Sequence, residues 1–429
     1  MASVVEQARF LASPLTGPSA EDIALGSDLR AVALMNLGIV EEWSLGLPDA
    51  ERHLREGAVL AREIGRPYLE VACLAQLGFA SKFRPFATTR RHCREAIALA
   101  DQYGWGADPI AAPALVTLAA NLAWTGEFDE ADQWLQRTTR AVQTDTGPGI
   151  RLLAHMVGGF LLAGQGRHRE AFEEFRAAER LRAQLEGSYA LANQATAWML
   201  ASQARAGRPA EARAGLAALA EEQARSGEVR NADAVICLAE GEPAAALSAM
   251  ASVLDGTAPV IGYTTALEAH LLAGLAYRQL GEPRAANQAA EDALAIAEHD
   301  RVVLPFAMTG SAEPLKALPR HETAHAALLA DILDLLHGSS LAAPAQSALP
   351  LTEELSPGEL RVLRYLLPDL SRSNIANELS VSPNTVSSHI RGIYAKLSAA
   401  DRSAAVRRAR QLQLLALPGW PSLGCGRCR

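Results

Sequence analysis

Seven turn signals divide residues 28–300 of this chain at nearly even intervals. They stand at Gly46-Leu-Pro, Arg84-Pro-Phe, Gly126-Glu-Phe, Gly166-Arg-His, Gly207-Arg-Pro, Gly241-Glu-Pro and Gly281-Glu-Pro, spaced by 38, 42, 40, 41, 34 and 40 residues. Apolar segments of helical periodicity run between them. A unit of this size cannot bury its apolar face alone, so the period demands an architecture of stacked repeats. Alanine stands five residues after the glycine in the last five units, at Ala131, Ala171, Ala212, Ala246 and Ala286. A small residue at one helical position lets two paired helices approach closely, and glycine at the turn ends the first of them. The expectation is an all-α, helix-pair solenoid over residues 1–300. Such arrays present a concave surface to a peptide or small ligand, or serve as spacers.

Residues 301–350 read as a joint. Leu328, Leu329, Ile332, Leu335 and Leu336 give one amphipathic helix that ends at His337-Gly338, and Ser339 to Pro350 (SSLAAPAQSALP) is a linker of small residues. His321-Glu322-Thr323-Ala324-His325 matches the H-E-x-x-H pattern of zinc peptidases. That chemistry needs both imidazoles on one helical face, Glu322 as general base and a third ligand from elsewhere. Asp331, Asp334 and His337 follow too closely for a separate element to deliver that ligand. A zinc metallopeptidase therefore stands only as an alternative to a plain helix surface, and neither a metal nor a cofactor is expected.

Residues 351–416 carry a different pattern. Ser356, Pro357 and Glu359 form a cap, a first-turn proline and a capping box, and Leu360, Leu363 and Leu367 give the helix that follows one apolar face. Pro368 and Asp369 stop it. A second short helix starts at Ser371 with Ile375, Ala376 and Leu379, and Ser382-Pro383 starts a third. Short helix, tight turn and longer helix make the outline of a helix-turn-helix. Val386, Ile390, Ile393 and Leu397 form the buried stripe of the third helix. Asn384, Ser387, Ser388 and Arg391 fall opposite, near the helix N-terminus, where side chains can meet base edges in a major groove. Gly392 inside this helix costs about 1 kcal/mol relative to alanine if it is exposed.

On these pieces, Leu351 to Leu415 resembles the DNA-binding domain of LuxR-type response regulators. The matching residues are Leu355-Ser-Pro with Glu359 and Val362-Leu363, the run SNIANEL from Ser373, Val381-Ser-Pro with Thr385-Val386, His389-Ile390, Ile393-Tyr394 with Lys396-Leu397, and Asp401-Arg402-Ser403 with Ala405-Val406. The resemblance implies a small four-helix helix-turn-helix domain that binds double-stranded promoter DNA as a homodimer, pairing through its fourth helix from Arg402 to Leu412. It puts DNA contacts on Ser371, Arg372, Asn384, Thr385, Ser387, Ser388, Arg391, Lys396 and Arg402, with Arg407, Arg408 and Arg410 as further cations. The family usually has a basic residue where this chain has Asn384 and Ser387, so Arg391 is left as the strong cation of the groove face. The repeats resemble the tetratricopeptide-like units of MalT-like regulators, which implies an effector or protein partner there.

Charge supports this division. The chain carries −8 in total, yet residues 351–415 hold nine Lys/Arg against six Asp/Glu, and residues 1–350 carry −13. An acidic body repels phosphate, so nucleic acid belongs to the C-terminal module. None of the three lysines, Lys82, Lys316 and Lys396, lies in a P-loop, and the ATPase of the large family members is not expected. The N-terminal stretch MASVVEQARFLASPL lacks a signal-peptide pattern and no stretch is long and apolar enough for the bilayer, so a cytoplasmic location without a membrane partner is expected. Cys73, Cys93 and Cys237 read as small buried groups, and Cys425-x-x-Cys428 lies in a flexible tail, residues 417–429, without further ligands.

Overall fold

The computed structural model describes residues 20–43, 46–81, 85–142, 147–185, 191–311, 315–318, 323–339, 355–365, 375–376, 379, 381–397 and 405. Its described elements are helical, and the chain divides into two compact units, Met1–Ala342 and Ala343–Arg429. In the first unit the helices pair in the order of the repeats. α1 (Ala20–Trp43) packs on α2 (Leu47–Glu63), α3 (Pro67–Ala80) on α4 (Phe86–Gln102), and α5 (Ala112–Trp124) on α6 (Phe128–Ala141). α7 (Pro148–Gly164) packs on α8 (His168–Arg182) and α9 (Ala192–Arg205) on α10 (Pro209–Ala217). After the short α11 (Glu221–Ala224), α12 (Gly227–Glu240) packs on α13 (Pro243–Leu254) and α14 (Tyr263–Gln279) on α15 (Pro283–Glu298). First helices also pack on one another, α1 on α3, α3 on α5, α5 on α7, α9 on α12 and α12 on α14, while α7 and α9 meet through the rings of Phe160 and Trp198.

The turn between paired helices repeats its chemistry. Gly126, Gly166, Gly207, Gly241 and Gly281 all take φ between 75° and 84°, the left-handed region that glycine enters freely. The next amide then reaches back five residues: Glu127 N to Leu122 O at 3.0 Å, Arg167 N to Leu162 O at 2.9 Å, Glu242 N to Cys237 O at 2.9 Å. This closes a Schellman motif on the first helix. The carbonyl of that same residue accepts from the alanine four positions on, as in Ala131 N to Glu127 O at 2.9 Å, which begins the second helix. All five alanines are fully buried at the crossing of the pair. The turn at Arg84 lies outside the described residues, but Thr89, five positions on, is buried there and its hydroxyl donates to the Ser81 carbonyl.

The stretch after the last repeat joins the repeat core. Val303 N donates to Trp124 O at 2.8 Å, and Asp300 accepts from Phe86 N at 3.0 Å and from the Tyr263 hydroxyl at 2.8 Å. α16 (Leu304–Thr309) then packs on α5, α7 and α14, with Leu304 and Phe306 fully buried. α17 (Ala326–Ser339) buries Leu328, Leu329, Ile332 and Leu333 in the same cluster as Leu267, Ala293 and Leu294 of the final repeats.

In the second unit, α18 (Pro357–Tyr365) packs on α19 (Pro383–Lys396). Their core is Leu355, Val362, Leu363, Ile375, Ala376, Val386, Ile390, Ile393, Leu397 and Ala405. Burying each such aliphatic side chain is worth about 1.5–3 kcal/mol, so the stripe on α19, not its cap, supplies most of the stability. Among the described residues, no helix of either unit is long and apolar enough to cross a membrane.

Candidate nucleic-acid interface and repeat cavity

The helix α19 begins as its sequence requires. Ser382 has extended backbone, its hydroxyl oxygen accepts from Thr385 N at 3.0 Å, and Pro383 fills the first helical position. With Val386, Ile390, Ile393 and Leu397 turned inward, Asn384, Thr385, Ser388 and Arg391 are exposed and Ser387 is half-buried. The guanidinium of Arg391 has no hydrogen bond or ion pair among the described residues. Five polar groups therefore share one face of the N-terminal and central turns of the helix.

Lys396 is placed differently. Its ammonium donates to Glu359 Oε2 at 3.0 Å, on the side where α19 meets α18. Glu359 also accepts from Ser356 N at 2.7 Å while its own amide donates to Ser356 Oγ at 3.2 Å, which is the capping box of α18. Burial works to raise this carboxyl, but the Ser356 amide and Lys396 outweigh it and hold it below the usual carboxylate range. The interhelical use of Glu359 left no signal in the capping pattern. It also explains Gly392, because a Cβ there would overlap Glu359 Oε1. One turn away, a Cβ on Gly358 would stand 3.0 Å from the His389 ring. Glycine allows the two helices to approach at both points. Ser371, Arg372 and Arg402, with the rest of the fourth helix beyond Ala405, lie outside the described residues.

In the repeat unit a cavity of about 330 Å3 opens among the first helices. Phe79, Val116, Trp124, Phe160, Leu191 and Trp198 wall it, with Asn121, Gln194 and Thr264 as polar groups. It shares Trp124, Gln194, Trp198 and Thr264 with a small recess bounded by Glu228, Glu268, Pro305 and Met308. Trp124 and Trp198 stand among the apolar residues of their helices, as core residues do. They pack on Phe160, with Trp198 meeting it edge-on at 4.5 Å, and the same indoles also face this cavity. Periodicity missed this because the pair-packing face and the cavity face of a first helix are both apolar. Glu268, the one acid of α14, was the signal available.

The H-E-x-x-H stretch is not on a helix where it is described. Thr323 to His325 precede α17, and His325 Nδ1 bonds Glu298 Oε2 at 2.5 Å. His321 and Glu322 lie outside the described residues. Among the described residues no group of three His, Cys, Asp or Glu side chains is placed to hold a metal. Cys73, Cys93 and Cys237 are buried free thiols, and burial pushes Cys73 and Cys93 up to about 12. Cys425 and Cys428 lie outside the described residues.

Fold and interface together define a helical-repeat chain with a helix-turn-helix unit. Residues 353–409 match the family of bacterial regulatory proteins, luxR family. The chain is similar to the probable transcriptional regulatory protein NarL of Mycobacterium tuberculosis, 36% identical over 94 residues that cover 20% of this chain and 44% of NarL. It is also similar to the HTH-type transcriptional regulator MalT of Yersinia pestis, 41% identical over 61 residues that cover 14% of this chain and 7% of MalT. The chain thus spans less than half the length of these relatives. Its fold resembles a Rap protein solved in complex with competence and sporulation factor, with a TM-score of 0.51 and 13% identity over 68% of this chain and 79% of that one. The C-terminal unit carries a LuxR-type helix-turn-helix domain, and the described residues of the first unit have the fold of a helical-repeat protein.

Proposed function

We propose that this chain is a cytoplasmic transcriptional regulator in which the repeats, residues 1–300, bind an effector or partner and residues 351–416 bind promoter DNA as a homodimer. Residues 301–350 connect the two. The observation that carries the reading is the exposed face of α19, where Arg391, without a partner among the described residues, stands beside Asn384, Thr385, Ser387 and Ser388. A cation without an internal partner is free to take a guanine edge or a phosphate. Ser371, Arg372 and Arg402 are assigned to phosphates around this helix. Lys396, tied to Glu359, orients the helix and is assigned to phosphate as well. The second part of the reading rests on the cavity, which has the lining expected of a small-ligand site, mostly apolar with a few polar groups.

The test is selection of genomic DNA bound by the intact chain, followed by anisotropy titration of the selected duplex at two salt concentrations. Affinity that falls steeply with salt is expected, with a log–log slope of about −0.9 per phosphate neutralised. Arg391→Ala should lose about 1–3 kcal/mol on the selected duplex and less on random DNA if it reads a guanine. Binding that is absent or indifferent to salt sinks the DNA-binding reading and leaves a repeat scaffold.

A further inference from the structure

The recess beside the repeat cavity holds two carboxylates and, among the described residues, no cation in contact with either. Glu228 is buried, and its Oε1 accepts from Ile261 N and from the Thr265 hydroxyl, both at 2.8 Å. Glu268 has a single long bond, from Asn231 Nδ2 at 3.4 Å. Asn231 is itself 1% exposed, and its Oδ1 has no partner. Arg205 acts on Glu268 only through space, since no ion pair joins them. Glu268 keeps some accessible surface because it faces the void, yet protein encloses it. That enclosure pushes its carboxyl up, with Arg205 and Asn231 working against it. Arg205 is itself enclosed but makes no contact with Glu268, and an enclosed carboxylate without a contacting counter-charge is stabilised further by a cation that reaches it. Next to these acids stand Trp124 and Trp198, with ring centroids 6.1 Å apart, and indole faces attract cations.

We infer that the cavity binds a small amphipathic organic cation, an alkyl- or arylammonium compound. Its apolar body lies among Phe79, Val116 and Phe160, and its ammonium group lies at Glu268, Glu228 and the Trp198 ring. The inference rests on reading the repeats as the sensing part of the protein and names the chemistry of what they sense. The cavity volume, about 330 Å3, falls at the lower end of small-molecule pockets, roughly 300–1,000 Å3, and suits one compact molecule better than an extended peptide.

The test titrates the full chain with phenylbutylamine, phenylbutanol and phenylbutyrate at neutral pH, following tryptophan emission and heat of binding. These probes share one apolar body and differ in the charge of the head. The amine should bind at least about tenfold tighter than the alcohol, and the acid weakest. Glu268→Gln should remove that preference while leaving affinity for the alcohol unchanged, and Gln194→Glu, which adds a carboxylate to the same wall, should raise it. Equal affinity for all three, a preference that survives Glu268→Gln, or no binding of any of them overturns the inference. DNA binding is measured on the same samples with and without amine. Amine binding that leaves DNA binding unchanged supports the cation site and sinks the sensing role. Intact DNA binding with no amine binding sinks the site alone.

Discussion

Replacing Gly392 by alanine sets two effects of opposite sign against each other. Alanine is the better helix former by about 1 kcal/mol at an interior position, so propensity alone makes the change stabilising. In the folded unit the new methyl overlaps Glu359 Oε1, and the carboxylate has to move. Moving it loosens the bond from Ser356 N at 2.7 Å and the bond from Lys396 at 3.0 Å. A capping interaction is worth about 0.5–2 kcal/mol, and a hydrogen bond to a charged group about 1.5–3 kcal/mol. Glu359 sits at the end of a flexible side chain and recovers part of this loss in a shifted position. The net expectation is a destabilisation of about 1–2 kcal/mol.

Native-state hydrogen exchange on the full chain reads this locally. The amides of α18 and α19 should lose about 5- to 30-fold in protection, while those of the repeats stay unchanged. In a Glu359→Ala background the obstacle is gone, and Gly392→Ala should then stabilise by up to about 1 kcal/mol. Increased protection from Gly392→Ala in the otherwise native chain would refute the reasoning, because propensity would then outweigh the Glu359 bonds.

Three further outcomes are expected. Ala171→Leu forces a large side chain into a fully buried crossing of α7 and α8 and should lower stability to urea by about 1–3 kcal/mol, provided the pair cannot open to admit it. The His168 imidazole, half-buried with no partner at Nδ1, is pushed down to about 4 by burial and then by Arg205. Its folded value lies below the unfolded value of 6.5, so the stability it gives is complete above that pH and drains away as pH falls toward 4. After discounting for its partial exposure the loss is about 1–2 kcal/mol, and His168→Gln should flatten this limb of a stability–pH profile. Lys396→Gln removes the ammonium from Glu359 and should cost the second unit about 1–3 kcal/mol by hydrogen exchange. Because the Glu359 carboxyl is held low, the pair's contribution is present above the unfolded carboxyl range and lost as pH falls through the folded value.

Where chain chemistry is local, the sequence spoke clearly. Gly126, Gly166, Gly207, Gly241 and Gly281 each needed a left-handed turn, and the alanine after each needed a close crossing, so residue type alone located the pairs. The Ser356–Glu359 and Ser382–Pro383 caps and the α19 stripe followed from spacings of three and four. Features that depend on distant contacts were hidden. Gly392 looked like a weak point until Glu359 was found lying over it from another helix. Lys396 looked like a surface cation and proved to be half of an interhelical pair. Trp124 and Trp198 looked like ordinary core, since nothing along one helix tells which apolar face will border a void. The segment after α15 read as a joint because its partners, Phe86 and Trp124, lie some two hundred residues earlier in the chain.

That last tie changes how the repeats should melt. In an open stack each unit touches only its neighbours, so the end units fray first and unfolding spreads inward as in a one-dimensional chain. Here Asp300 and Val303 bind the residues at positions 86 and 124, and α16 packs on α5, α7 and α14. The final repeat cannot leave without disturbing the middle of the stack, so the free end is removed and the transition becomes closer to all-or-none. The same long-range closure raises the mean sequence separation of native contacts, which slows folding. The unit gains cooperativity from a segment whose contacts lie far back along the chain.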